Sequence, residues 1–138
     1  MDLQLYIYKA RVISVYDGDT CTVDIDLGLH AWIHGEKIRL ARINAPELRG
    51  AEREQGMLSR DYLRELILDQ EIILNTIKDK KGKYGRYLGE IWVKNDNDVY
   101  INVNDEMVAE GYADYYDYSS SGQSVVIKTQ KQQGKTIN

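Results

Sequence analysis

The sequence has very little of two residue types that often build sites or crosslinks. Cys21 is the only cysteine among 138 residues, so no disulfide can form within the chain. It lies at an apolar position of a predicted strand, which indicates a buried thiol rather than a nucleophile. His30 and His34 are the only histidines and have no cysteine near them, which argues against a zinc site. We expect exposed histidines at a sheet edge.

Long apolar runs are also missing. No stretch is long enough to cross a bilayer, and the N-terminus has no basic region followed by a continuous apolar run. We therefore expect no membrane association and a cytoplasmic location. Separately, we expect a monomer. The length predicts a single domain over residues 1–138, with a core over about 5–118 and a tail or helix over 119–138.

Net positive charge, which is typical of nucleic-acid-binding domains, is absent. The net charge is -4 and the isoelectric point is about 5.2. The charges are unevenly distributed, however: residues 78–86 carry five basic side chains and one acidic one, whereas residues 95–118 carry seven acids and no Lys or Arg. A local basic segment on an acidic body suits transient contact with a polyanion better than tight binding.

The first half of the chain has the period-two pattern of strands. Residues 5–15 predict a strand, residues 17–18 a hairpin turn, and residues 21–27 a half-buried strand with an acidic outer face. We interpret Asp24 and Asp26 as this solvated face rather than as metal ligands. Gly28 predicts a bend, after which the strand continues to a turn at residues 35–36.

The second half mixes helical and strand patterns. Residues 52–68 predict a helix whose stripe includes Leu58, Leu63 and Ile67. Strands are predicted over 71–78 and 87–94, with a loop over 80–84 and a turn over 95–98. A short helix follows, capped by Asn102 or Asn104, and a terminal helix is predicted over 124–133. The pattern indicates an α+β fold with a closed or part-closed antiparallel barrel.

Residues 38–47 concentrate the most informative chemistry of the chain. Their alternation predicts a strand that ends at Pro46, which has no N–H to donate to a neighbouring strand. Such a strand would bring Arg39, Asn44 and Glu47 close together. A guanidinium, a carboxamide and a carboxylate at the rim of a sheet suit a phosphate and a metal ion.

Two further segments complete a recognisable set. Residues 17–20 read Asp-Gly-Asp-Thr, a tight turn with two carboxylates, and residues 83–86 read Lys-Tyr-Gly-Arg, a basic and aromatic turn. With Arg-Leu-x-x-x-x-x-Pro-Glu over residues 39–47 between them, the three motifs resemble the staphylococcal nuclease (thermonuclease) family. The resemblance covers residues 8–116. It implies a five-stranded OB-like β-barrel with two or three α-helices.

The resemblance also implies an activity and a catalytic set. A calcium-dependent nuclease would hydrolyse phosphodiester bonds of DNA, RNA or both at the 5′ side, leaving 3′-phosphates. Glu47 matches the general base that activates water, and Arg39 and Arg86 match two phosphate-binding arginines. Lys83 and Tyr84 match residues that contact the terminal phosphate of a bound nucleotide.

The implied metal site contains one departure from the family pattern. By resemblance, a calcium ion would be held by Asp19, by the side chain of Asn44 and by the backbone carbonyl of Ala45, but the family usually has Asp at position 44. Because the carboxamide carries no charge, metal affinity should be altered. Two function classes remain open: a metal-dependent nuclease, and a non-catalytic OB-type module that binds nucleic acid or protein.

Overall fold

The computed structural model describes residues 3–81, 85–118 and 124–127, and for residues 78–81, 117, 118 and 124–127 it describes the backbone alone. Nine strands and two α-helices follow one another along this part of the chain. They are β1 (Ile7–Asp17), β2 (Thr20–Gly28), β3 (Ala31–Leu40), β4 (Ile43–Asn44), α1 (Arg53–Ile67), β5 (Glu71–Lys81), β6 (Tyr87–Lys94), β7 (Tyr100–Asn102), α2 (Val103–Ala109), β8 (Asp114–Tyr118) and β9 (Ser124–Ile127).

Five of the strands close into a barrel. The main sheet has the order β3-β2-β1-β5-β6-β7, and a parallel pairing of Ile38–Leu40 with Tyr87–Gly89 joins β3 to β6. The strands β4, β8 and β9 form a separate three-stranded sheet. The predicted α+β fold, an OB-like five-stranded barrel with helices, is therefore confirmed, with two α-helices in the part of the chain that the structure describes.

The barrel interior follows the alternation of the sequence. On β2, Cys21, Val23 and Ile25 are buried while the residues between them face outward, as the pattern predicts. The core continues across the barrel to both helices through residues such as Leu63, Leu74, Ile91 and Met107.

Both helices lie close to where the sequence places them. The buried face of α1 consists of Gly56, Ser59, Leu63 and Ile67, whereas Leu58, which the predicted stripe includes, is 56% exposed. Asn102 caps α2, because its side chain accepts a hydrogen bond from Asp105 N at 2.8 Å.

Asn104, the alternative cap, has a different function in the fold. It is fully buried, donates from Nδ2 to the carbonyls of Ala41 and Gly89 at 2.9 and 3.0 Å, and accepts from Ile91 N at 3.1 Å. Its amide thus satisfies three backbone groups and fastens α2 to β6 and to the end of β3.

The predicted turn at residues 35–36 is wrong. The β2–β3 hairpin turns at Leu29 and His30, whose φ angles of 56° and 65° suit a two-residue turn that matches the twist of the strands. Gly35 instead lies inside β3 at a bulge, with a φ of 72°, and donates its N–H to the carboxylate of Asp24 at 2.9 Å.

The single strand predicted over residues 38–47 is also wrong. The strand β3 ends at Leu40, and Arg42 has a φ of 69°. Its guanidinium forms two hydrogen bonds with Glu90, at 2.7 and 2.8 Å, and one with Asp105, at 2.9 Å. These ion pairs stabilise the interruption between β3 and β4. The two residues of β4 then pair with β8.

The structure also corrects two smaller predictions, one for residues 80–81 and one for residues 124–127. Lys80 and Lys81 belong to β5 rather than to a loop. The helix predicted over 124–133 is wrong for Ser124–Ile127, which form the strand β9 antiparallel to β8, and its remainder lies outside the described residues. Strand pairing with β8 supplies the backbone hydrogen bonds that a helix would otherwise have provided.

Candidate functional site

The site begins at the turn between β1 and β2, where Asp19 is only 5% exposed. The carboxylate of Asp19 accepts hydrogen bonds from Thr20 Oγ1 at 3.2 Å and from Ala45 N at 2.8 Å. Gly18 allows this close packing: a Cβ there would lie 2.7 Å from the Cβ atoms of both Ala45 and Ser59. The turn therefore packs closely on α1 at Gly18 and holds Asp19 against the segment after β4.

Arg39 extends from β3 to the same place. Its Nη1 donates to the carbonyls of Leu40 and Ile43 at 2.8 and 2.9 Å. Its Nη2 contacts Asp19 Oδ2 at 3.4 Å and Asn44 Oδ1 at 3.3 Å. Only 12% of the side chain is exposed, and these four acceptors hold the guanidinium in one orientation.

Thr20 links the second arginine to this cluster. Arg86 Nη1 donates to Thr20 Oγ1 at 3.2 Å, and that hydroxyl is the one that donates to Asp19. A continuous set of polar contacts therefore joins Arg86, Thr20, Asp19, Arg39 and Asn44. The sequence motifs contain Thr20, but its bridging position depends on the approach of Arg86, which is 66 positions away, so no local pattern predicts it.

The residues predicted to hold calcium form an oxygen-rich donor set. Asp19 Oδ2 and Asn44 Oδ1 both face the same nitrogen of Arg39, so these two oxygens converge on one region, and the peptide N–H of Ala45 is bound to Asp19. Among the described residues, no group of three or more His, Cys, Asp or Glu side chains could hold a metal ion. The donor set fits a hard cation by ligand type, with carboxylate and amide oxygens, but with low negative charge.

Asp17 adds a second carboxylate to the turn. It accepts a hydrogen bond from Asp19 N at 3.0 Å. Burial, with the nearby charge of Asp19 as the next cause, raises the pKa of Asp17 to about 7. The turn is therefore a place where negative charge is crowded, despite the nearby guanidinium of Arg39.

Glu47 lies on the open side of the cluster. Its side chain is exposed, and it lines a pocket of about 180 Å³ together with Tyr16, Asp17, Leu48 and Arg49. Within the described part of the chain, its carboxylate has no hydrogen bond or ion pair. The structure brings Glu47 and Asp17 to one cavity, beside the network that contains the two arginines.

Gly56 of α1 positions the backbone that carries Glu47. A Cβ at Gly56 would clash with the carbonyl oxygen of Glu47 and would lie 2.7 Å from its carbonyl carbon and 3.0 Å from the oxygen of Pro46. The sequence analysis did not identify this residue. A glycine inside a helical pattern was the available signal, because such a glycine usually has a packing reason.

The structure thus brings together Asp19, Arg39, Asn44 and Ala45, joins Arg86 to them through Thr20, and places Glu47 at the adjoining pocket. Lys83 and Tyr84 lie outside the described residues. In the part of the chain that the structure describes, no helix is long and apolar enough to span a membrane.

Comparison with known proteins adds evolutionary context to this geometry. A sequence model of the staphylococcal nuclease homologue family matches residues 37–136. An uncharacterized protein of Methanocaldococcus jannaschii is 29% identical over 130 residues, which cover 79% of this chain and 59% of the relative. The chain thus spans about three fifths of the length of that curated relative.

The family match and the structure agree. The matched region contains Arg39, Asn44, Glu47 and Arg86, whereas the β1–β2 turn that carries Asp19 and Thr20 precedes it. The parallel pairing of β3 with β6 that closes the barrel also lies within the matched region. The family model covers well over half of the chain. The chain therefore belongs to the staphylococcal nuclease homologue family.

Proposed function

We propose that this protein is a metal-dependent phosphodiester hydrolase that acts on DNA, RNA or both. One observation carries the proposal: a single polar network joins Arg86, Asp19, Arg39 and Asn44 beside the pocket lined by Glu47. Hydrolysis of a phosphodiester requires an activated water, positive charge at the phosphate oxygens and a fixed position for the phosphate.

Glu47 suits the first of these requirements. Its carboxylate is exposed, faces a cavity that is large enough for water and a phosphate, and has no partner among the described residues. A carboxylate in this position can take a proton from water as that water attacks phosphorus.

The two arginines suit the other requirements. The guanidinium of Arg39 is held by backbone carbonyls, Asp19 and Asn44, so its charge needs no rearrangement when a phosphate arrives. The described hydrogen bonds use both of its Nη atoms and leave Nε available as a donor. Arg86 adds a second fork-shaped cation on the far side of Thr20.

The family resemblance suggests calcium as the cofactor, and Asp19, Asn44 and the carbonyl of Ala45 are the groups that would hold it. A bound calcium ion would supply positive charge for the phosphate oxygens. The neutral amide at Asn44 gives the site one negative charge fewer than a carboxylate would, so calcium should bind more weakly than in the usual family pattern.

A non-catalytic nucleic-acid- or protein-binding module is the second candidate. Two observations favour it: Arg39 already satisfies four acceptors within the fold, and the net charge of the chain is -4. In such a module the arginine would maintain the fold between β3 and β4 without contacting a substrate.

The deciding experiment is degradation of plasmid and of single-stranded DNA and RNA in calcium and in chelator. We expect cleavage that requires calcium, and a loss of roughly 10²–10⁴-fold in rate for Glu47→Gln, which keeps the shape but removes the base. Glu54→Gln is the matched control, because Glu54 is an exposed carboxylate in the first turn of α1. Binding without cleavage would favour the module, and full activity in Glu47→Gln would exclude Glu47 as the base.

A further inference from the structure

The pocket beside Glu47 contains chemistry that hydrolysis of the phosphate does not use. Three of its five lining residues, Tyr16, Leu48 and Arg49, bear no water-activating carboxylate and are absent from the polar network. The cavity of about 180 Å³ is smaller than the roughly 300–1,000 Å³ of typical small-molecule sites, so it can hold a fragment about the size of one nucleotide base.

The backbone of β1 directs Tyr16 out of the barrel. In the pairing of β1 with β2, Val15 is opposite Cys21 and Asp17 is opposite Thr20, so Tyr16 is left without a partner at an irregularity in the register. Such bulges reorient a side chain and are frequent next to active sites. Val15 is buried, whereas Tyr16 is 68% exposed.

Leu48 and Arg49 complete the pocket on the opposite chain segment. Leu48 is half-buried and supplies an apolar wall, and Arg49 is exposed. Within the described residues, the guanidinium of Arg49 has no hydrogen bond or ion pair. An aromatic ring, an apolar wall and a cation together match a base and its flanking phosphate.

An exposed tyrosine by itself is ordinary on a protein surface. Here, however, the ring shares a cavity with the carboxylate that the proposed function assigns as the base. A nucleotide whose phosphate lies near Glu47 would therefore have its own base, or that of its neighbour, within reach of Tyr16.

We propose that this pocket is a subsite for a nucleotide next to the cleaved phosphate, with its base stacked on Tyr16 and its outer phosphate at Arg49. This inference rests on the proposed function.

The test uses dinucleotides with terminal phosphates, which contain one cleavable linkage, in calcium. Three substrates are compared: the intact dinucleotide and the two in which the 5′ or the 3′ nucleoside lacks its base. For the parent and for Tyr16→Phe, we expect kcat/KM to fall roughly 5- to 100-fold when one particular base is removed. Tyr16→Ala should show the same fall in kcat/KM on the intact dinucleotide. It should show no further fall on the dinucleotide that lacks the base which stacks on Tyr16.

Tyr100→Ala is the matched control, because Tyr100 is also half exposed but lies on β7 and does not line the pocket. It should behave as the parent does. If kcat/KM of Tyr16→Ala stays within about twofold of the parent value on every substrate, or falls by the same factor on all three substrates, the subsite is overturned while the nuclease function stands.

A binding measurement keeps the two proposals separable. The dissociation constant of a fluorescent single-stranded oligonucleotide should rise by the same factor in Tyr16→Ala as kcat/KM falls. If the parent binds without cleaving, the proposed function fails, and this constant alone decides the subsite. If the parent neither binds nor cleaves, both proposals are overturned.

Discussion

Replacement of Gly56 by alanine tests how the site is held together. The new Cβ would lie against backbone atoms of Pro46 and Glu47, at 3.0 Å or less, and these atoms cannot rotate away as a flexible side chain would. The helix α1 must therefore move away from the segment that carries Glu47, or that segment must shift.

The size of the effect follows from two opposing contributions. Alanine gains about 1 kcal/mol over glycine inside a helix, whereas overpacking at a close contact costs about 1–3 kcal/mol. We expect a net loss of stability between about 0 and 2 kcal/mol. Activity should fall more sharply, by roughly 10- to 100-fold, because a shift of about 1 Å in a catalytic group can cost 10²-fold.

The assays are a thermal melt and the calcium-dependent cleavage rate of single-stranded DNA. Gln55→Ala is the control, since Gln55 is exposed in the same turn of α1 and should change stability by less than about 0.5 kcal/mol. If Gly56→Ala is about 1 kcal/mol more stable than the parent and equally active, the contact with Glu47 is not as the structure has it.

Three further predictions concern the network and its support. Arg86→Lys should lower the cleavage rate with little change in the melting temperature. Arg39→Lys should lower both the rate and the melting temperature, because a lysine cannot donate to all four acceptors of Arg39. An unchanged cleavage rate in either variant would mean that the arginine does not bind the phosphate. Asn44→Asp should tighten calcium binding in a calorimetric titration, and equal or weaker affinity would mean that Asn44 is not a ligand. Asn104→Ala should destabilise the protein by about 2–5 kcal/mol in a denaturant titration, because Ile91 N and the carbonyl of Ala41 lose their partner, while the carbonyl of Gly89 keeps its hydrogen bond from Ala41 N at 2.8 Å. A loss under about 1 kcal/mol would contradict that arrangement.

Much of the fold could be predicted from the sequence because its signals are local. The alternation on β2 depends only on the period of a strand, and the cap at Asn102 depends on residues three positions apart. The turn at residues 17–20 and the helix α1 are local in the same sense. These segments agree with the structure to within a residue or two.

The position of each site residue within a motif was likewise readable. The order and spacing of the three motifs predicted that Asp19, Arg39 and Arg86 would belong to one site, and the structure brings them into a connected set of contacts. Their chemical roles are matters for the experiments above.

Only the tertiary structure decided the features that depend on distant partners. The strand predicted over residues 38–47 breaks at Arg42, whose partners Glu90 and Asp105 lie 48 and 63 positions away. The contact of Gly56 with Glu47 and the capture of three backbone groups by Asn104 arise in the same way, when α1 and α2 pack on the barrel. Local patterns indicate which residues can form a strand, a turn or a helix, but packing between remote segments determines where a strand ends and which side chain supports the site.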